Sequence, residues 1–95
     1  MENKAPSFVW DSLKELINIR KHGIDFVSAA RAFKDPKRKV LIDSEHSKSE
    51  PRYFCVGKVD NKIITVRFTY RSNKIRIIGA GCWRKGAKYY EEKKG

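Results

Sequence analysis

Apolar positions recur along the chain in two different periods, and one gives way to the other near Arg38. Before that point the period is helical. Leu13, Leu16, Ile17 and Arg20 stand at i, i+3, i+4 and i+7, which places three aliphatics on one face of a helix over Ser12 to His22. Ser12 and Glu15 have the spacing of a capping box, and Gly23 suits a left-handed stop after His22. Asp25 can cap a second helix in which Phe26, Ala29, Ala30 and Phe33 repeat at helical spacing until Asp35-Pro36 breaks it. A short apolar strand, Phe8-Val9-Trp10, precedes both helices.

From Arg38 onward β-branched and aromatic residues dominate. Val40 to Ile42, Arg52 to Val59, Ile63 to Tyr70 and Lys74 to Ala80 are predicted strands. Asp60-Asn61 and Ser72-Asn73 are short polar turns suited to hairpins, so the last three strands form a meander. In the third of these four strands Ile64, Val66, Phe68 and Tyr70 share one face, and Ile63, Thr65, Arg67 and Thr69 share the other. The polar segment Asp43 to Pro51 is predicted to be an exposed loop, and Ala87 to Lys94 a short amphipathic helix. The pattern therefore predicts an α+β fold: an N-terminal strand and two helices packed on an antiparallel β-meander of about four strands, then a C-terminal helix. Trp10, Phe26, Phe33 and Phe68 follow core periodicity.

Composition narrows the picture. A length of 95 residues suits one domain, with its core over about 8–90, and leaves no material for a second core. Twenty-two Lys and Arg against 11 Asp and Glu leave a net charge of +11, which favours an anionic partner: nucleic acid, an acidic protein, or both. No apolar run approaches the roughly 18 residues of a membrane span, and the start carries no apolar signal core, so the expectation is a cytoplasmic protein without membrane contact. Cys55 and Cys82 lack metal-ligand spacing and a secretory setting, which predicts two reduced, packed thiols. The sequence contains no G-x-S-x-G, Walker-type loop or H-E-x-x-H, which argues against serine hydrolases, nucleotide hydrolases and zinc proteases. Asp43, Glu45, His46 and Glu50 lie close together in sequence, but without matching ligand spacing no metal is expected.

RNA needs no protein nucleophile, because each phosphate has a 2′-hydroxyl beside it. The protein must supply positioning, proton transfer and cations. His22 either caps the first helix at its C-terminus or transfers protons, as His46 also could. Glu50 and Arg52, two apart where a strand begins, either pair with each other or orient RNA. Arg67 and Arg76 on neighbouring strands would be costly side by side without an anion between them. Trp83, Arg84, Lys85, Tyr89 and Tyr90 combine cations with rings able to stack on unpaired bases; taken alone, Trp83 or Tyr90 is better read as packing the last helix onto the sheet, and the basic pair is the better functional candidate.

Four landmarks occur together: Phe8-Val9-Trp10-Asp11; Asn18-x-x-Lys21-His22-Gly23-Ile24-x-Phe26; His46-Ser47 followed by Glu50-x-Arg52-Tyr53; and Arg76-Ile77-Ile78. In order and spacing the chain resembles the BrnT family of bacterial toxins over roughly residues 8–90. The resemblance implies a RelE-like fold, a growth-arresting ribonuclease of a type II toxin-antitoxin system, and a hetero-oligomer with a cognate DNA-binding antitoxin of the BrnA-like kind. No cofactor is implied. Metal-independent cleavage would then use His22 or Glu50 for proton transfer and Arg76, Arg84 and Lys85 at the phosphate, with Lys21, Arg52, Arg67, Trp83 and Tyr89 binding RNA. Family members often end the last strand as Ile-Ser-Ala-Arg-Arg, whereas this chain reads Ile78-Gly79-Ala80-Gly81-Cys82 and places its cations later, at Arg84 and Lys85. Two readings follow: the cationic work is displaced along the chain, or the protein is a non-catalytic module that binds nucleic acid or antitoxin.

Overall fold

The computed structural model describes residues 7–92. Five strands, β1 (Phe8–Val9), β2 (Lys39–Ile42), β3 (Tyr53–Val59), β4 (Lys62–Arg71) and β5 (Lys74–Gly81), form one sheet in the order β1-β5-β4-β3-β2. β2 to β5 are the antiparallel meander expected from sequence. The N-terminal strand joins the same sheet, parallel to β5, through Phe8 opposite Ile75 and Val9 opposite Arg76. The sheet is therefore mixed.

Both hairpins turn on the dipeptides singled out above. Asp60, Asn61, Ser72 and Asn73 all adopt positive φ, between 48° and 70°. Two consecutive left-handed residues make the tight turn whose twist matches that of the flanking strands, and Asp, Asn and Ser tolerate it better than branched residues. A bulge between Arg67 and Phe68 shifts the β4–β5 register, so that Arg67 lies opposite Gly79 and Phe68 opposite Ile77.

Two helices, α1 (Ser12–His22) and α2 (Phe26–Ala30), follow β1, and α2 runs on into a 3-10 turn over Arg31–Lys34. Phe26, Ala29 and Ala32 meet Cys55, Val66, Phe68 and Ile77 in the core on one side of the sheet, and Phe33 packs edge-on against Phe68. Ala32 comes so close to β3 that a Cβ at Gly57 would overlap its carbonyl oxygen.

Several expectations are corrected. Asp11, not Ser12, caps α1, its carboxylate accepting from the N–H groups of Leu13 (2.8 Å) and Lys14 (3.1 Å). Glu15 does not close a capping box. Its carboxylate bridges Trp10 Nε1 (3.1 Å) and the N–H of Phe26 (2.9 Å), tying β1, α1 and α2 together. Gly23 does stop α1 in the left-handed conformation, its N–H donating to the Ile19 carbonyl. The last helix, α3, spans Arg84–Glu91, starting three residues before the expected Ala87; Lys93 and Lys94 lie outside the described residues. Cys55 is buried, which pushes its thiol up to about 12, but Cys82 follows β5 and is exposed.

The orientation of α1 is the largest difference. Leu13, Leu16 and Ile17 point to solvent, and the buried residue of the helix is Asn18. β1 covers β5 only as far as Arg76, leaving the backbone of Ala80 at an open edge. Asn18 fills the place of the missing strand: its Oδ1 accepts from the Ala80 N–H (3.1 Å), and its Nδ2 donates to the carbonyls of Ala80 (2.9 Å) and Ile24 (3.0 Å). Replacing Asn18 with Ala strands three buried backbone groups, so the midpoint of urea unfolding should fall by the equivalent of about 2–4 kcal/mol. A shift below about 0.5 kcal/mol would show that water satisfies these groups instead.

Candidate nucleic-acid interface

The face of the sheet away from the core carries two cross-strand rows. Phe54, Arg67 and Gly79 form one, and Val56, Thr65 and Gly81 the next. α3 lies across this face against β3 and β4, and it approaches closely because Gly86 stands over Thr65, where a Cβ would overlap the Thr65 hydroxyl. A side chain at position 81 would likewise strike the folded-back ring of Trp83 at 2.6 Å. The glycine ending of β5 thus makes room for an indole, and that indole meets the imidazole of His22 edge to face at 5.2 Å.

The far end of α3 is anchored just as specifically. Lys39 Nζ donates to the carbonyls of Tyr89 (2.9 Å) and Glu92 (2.7 Å) at the C-terminus of the helix, where a cation also meets the negative end of the helix dipole. The Tyr90 hydroxyl donates to Asp35, and the neighbouring carboxylate raises the phenol to about 12. Burial works against ionisation of Asp35, yet the Tyr90 hydroxyl and the N–H groups of Lys37 and Lys58 together hold its carboxyl below the usual range.

Between α3 on one side and β2 with the following 3-10 turn (Ser44–His46) on the other runs an open groove of about 760 Å³. Arg67 lies in it, Trp83, Lys85, Lys88 and Tyr89 line the helical wall, and Leu41, Asp43 and His46 line the other. The segment expected to be a free loop is tightly organised. Ser47 Oγ donates to the Asp43 carbonyl (2.7 Å) and accepts from the Arg52 N–H (2.9 Å), while the Asp43 N–H donates to the Arg52 carbonyl (2.8 Å). Asp43 is buried rather than solvated, and its Oδ2 lies 2.9 Å from His46 Nδ1. A carboxylate can only accept, so Nδ1 carries the proton and Nε2 of neutral His46 is left as an acceptor. The ring is half exposed at the groove.

Five of the residues singled out from sequence therefore converge here: Arg67, Trp83, Lys85, Tyr89 and His46. The others lie elsewhere. His22 supports Trp83 from outside the groove, and Lys21 is exposed beside it on α1. Arg84 is exposed at the first position of α3. Arg76 is on the groove's face of β5 but opposite Thr69, diagonal to Arg67, and its charge helps the N–H groups of Lys14 and Leu13 hold the Asp11 carboxyl low. Glu50 is clamped by Arg71 at 3.2 Å and Arg52 at 3.4 Å, and the Arg71 hydrogen bond is the main cause of its lowered pKa. The expected exposed loop conceals this pair, although Asp43-x-x-His46 is the spacing of one turn, and of the expected proton carriers it is His46, not His22 or Glu50, that lines the groove. Among the described residues no group of three or more His, Cys, Asp or Glu side chains is placed to hold a metal ion, and no helix is long and apolar enough to cross a membrane.

A family model described as the ribonuclease toxin BrnT of type II toxin-antitoxin systems matches residues 10–86. No individually curated protein matches the chain.

Proposed function

Because the chain belongs to the BrnT family of ribonuclease toxins of type II toxin-antitoxin systems, we propose that the groove between α3 and the Asp43–His46 turn is where it binds and cuts single-stranded RNA, without a metal ion. The observation that carries this reading is the meeting, in one groove, of three cations, two aromatic rings and a histidine oriented by a buried carboxylate. Trp83 and Tyr89 stack on unpaired bases, and Arg67 and Lys85 hold the phosphate between them. Arg76, Arg84 and Lys21 extend the cationic surface along which the strand approaches. Glu50 and Arg52 brace the His46 loop, and His22 braces Trp83.

In the reaction, His46 Nε2 accepts the proton of a 2′-hydroxyl as O2′ attacks the adjacent phosphorus. The bond from phosphorus to O5′ breaks, and O5′ takes a proton from solvent. The products are a 2′,3′-cyclic phosphate and a free 5′-hydroxyl, and His46 returns its proton to water. Arg67 and Lys85 neutralise the charge that builds on the non-bridging oxygens. Arg67 and Lys85 do the work that paired arginines at the end of β5 would do, while Arg84 stands outside the groove. The wider reading is of a single RelE-like domain, acting in the cytoplasm to arrest growth and held in check within a hetero-oligomer by a BrnA-like, DNA-binding antitoxin.

Single-stranded RNA incubated with the protein in excess chelator should be cut, leaving 2′,3′-cyclic ends, and an Arg67→Ala/Lys85→Ala variant should cut it at least ~100-fold more slowly. Equal rates for the two proteins would remove this groove from the reaction. RNA binding that weakens steeply with salt, without scission by either protein, would favour the non-catalytic reading.

A further inference from the structure

The apolar stripe of α1 is turned outward and held there. Leu13, Leu16 and Ile17 are 64%, 52% and 46% exposed, and Ile19 beside them is 40% exposed. With Arg20 they form an i, i+3, i+4, i+7 row, the pattern by which one helix packs against another. Rotating α1 to bury this row would break the Asn18 bonds to Ala80 and Ile24 and the Glu15 bonds to Trp10 and Phe26. The polar side of the helix is built for the interior. Its aliphatic side is left for something else, since a contiguous exposed apolar patch on a soluble protein marks an interaction surface.

The charges bordering the stripe say what covers it. Lys14 and Lys21 flank it on one side and Arg20 continues it, whereas Glu15, the one acidic residue of α1, is turned inward to Trp10 and Phe26. The outward face thus presents aliphatics and cations without a carboxylate. A second copy of this chain, itself at +11, would bring like charges together across such a contact. A helix with leucine or isoleucine at matching spacing and Asp or Glu along its borders satisfies both the apolar row and its rim.

We propose that the outward face of α1 is the docking surface for an amphipathic, acid-bordered helix of the antitoxin. The proposal rests on the toxin-antitoxin part of the reading above and not on the chemistry of the groove, whose lining includes no residue of α1.

The test titrates the full chain with the product of the reading frame adjoining its own, in parallel with Leu16→Asp, Ile17→Asp and Arg20→Glu variants. Circular dichroism melts verify that the exposed substitutions leave the fold intact. Leu16→Asp and Ile17→Asp should each weaken binding ~30-fold or more, as expected for the centre of an interface. Arg20→Glu should weaken it about tenfold at low salt and less at high salt. RNA cleavage by the free variants should equal that of the unmodified chain, and it is scored separately, so a failure of the groove reading shows as absent cleavage with antitoxin binding intact. Four results would overturn the proposal: binding unchanged in both Asp variants; no binding of the adjoining product to the unmodified chain; a dimer of the chain alone that Leu16→Asp converts to monomer; or binding to vesicles containing phosphatidylserine that Leu16→Asp abolishes while antitoxin binding persists.

Discussion

His46→Ala is expected to slow RNA cleavage by about 10²–10³-fold while leaving the affinity for an uncleavable 2′-deoxy strand within about threefold of its original value. The split follows from the geometry. His46 lines the same groove as Lys85 and Arg67, and in the proposed reaction it acts as a neutral base through Nε2, so its loss should tell on proton transfer and not on the grip. Asp43→Asn tests the second half of the argument. An amide at that position can donate to Nδ1, reversing the tautomer and protonating the nitrogen that must accept, and the rate should fall by roughly tenfold or more with affinity again unchanged. Single-turnover rates with a labelled oligonucleotide separate these effects. Cleavage by His46→Ala at the original rate would return the proton-transfer role to His22 or Glu50.

The second large effect concerns the fold. Gly57→Ala is expected to destabilise the protein by ~3 kcal/mol, read as a lower urea midpoint with an unchanged slope. A methyl group at that position overlaps the backbone carbonyl of Ala32, and backbone cannot swing aside as a flexible side chain can. The 3-10 turn would have to lift from β3, loosening Ala32 and Phe33 from the core that Phe68 completes. Gly79→Ala is the contrasting case, because a Cβ there meets only Asn18 Oδ1 at an ordinary 3.5 Å. A loss for Gly57→Ala no larger than that for Gly79→Ala would contradict the close approach of the turn.

These two sites also mark what the sequence could disclose. The hairpins were legible because Asp60-Asn61 and Ser72-Asn73 act locally: the residues that permit positive φ are the ones that make the turn. The extent of α1 was legible for the same reason, through its period and through Gly23. Its facing was not, because periodicity finds an apolar stripe without saying whether the surface that covers it belongs to the same chain. Asn18 looked like one more polar position on the helix, and only the open edge of β5 gives it a role. The parallel seat of β1 was hidden because two residues carry no register of their own and find it only once β5 exists.

The candidate site divides along similar lines. Trp83, Lys85 and Tyr89 could be grouped in advance because they sit close together in sequence around one helix. Arg67 was recognised through the strand alternation that puts it on the polar face. Asp43 and His46 face the same groove from a distant part of the chain, and nothing local shows that the aspartate is buried. Glu50 stood out as a carboxylate near cations, yet those cations, Arg52 and Arg71, hold it in a structural clamp outside the groove.

The two walls of the groove come from well-separated stretches of the chain, residues 41–46 and 83–92, and one lysine, Lys39, ties the second wall down beside the strand that carries the first. This has a consequence during synthesis. A nascent chain can form the β2–β3 and β3–β4 pairs as soon as those strands emerge, but the groove does not exist until α3 has left the ribosome and its terminal carbonyls have found Lys39. The proposed grip on RNA therefore forms only after both walls have met.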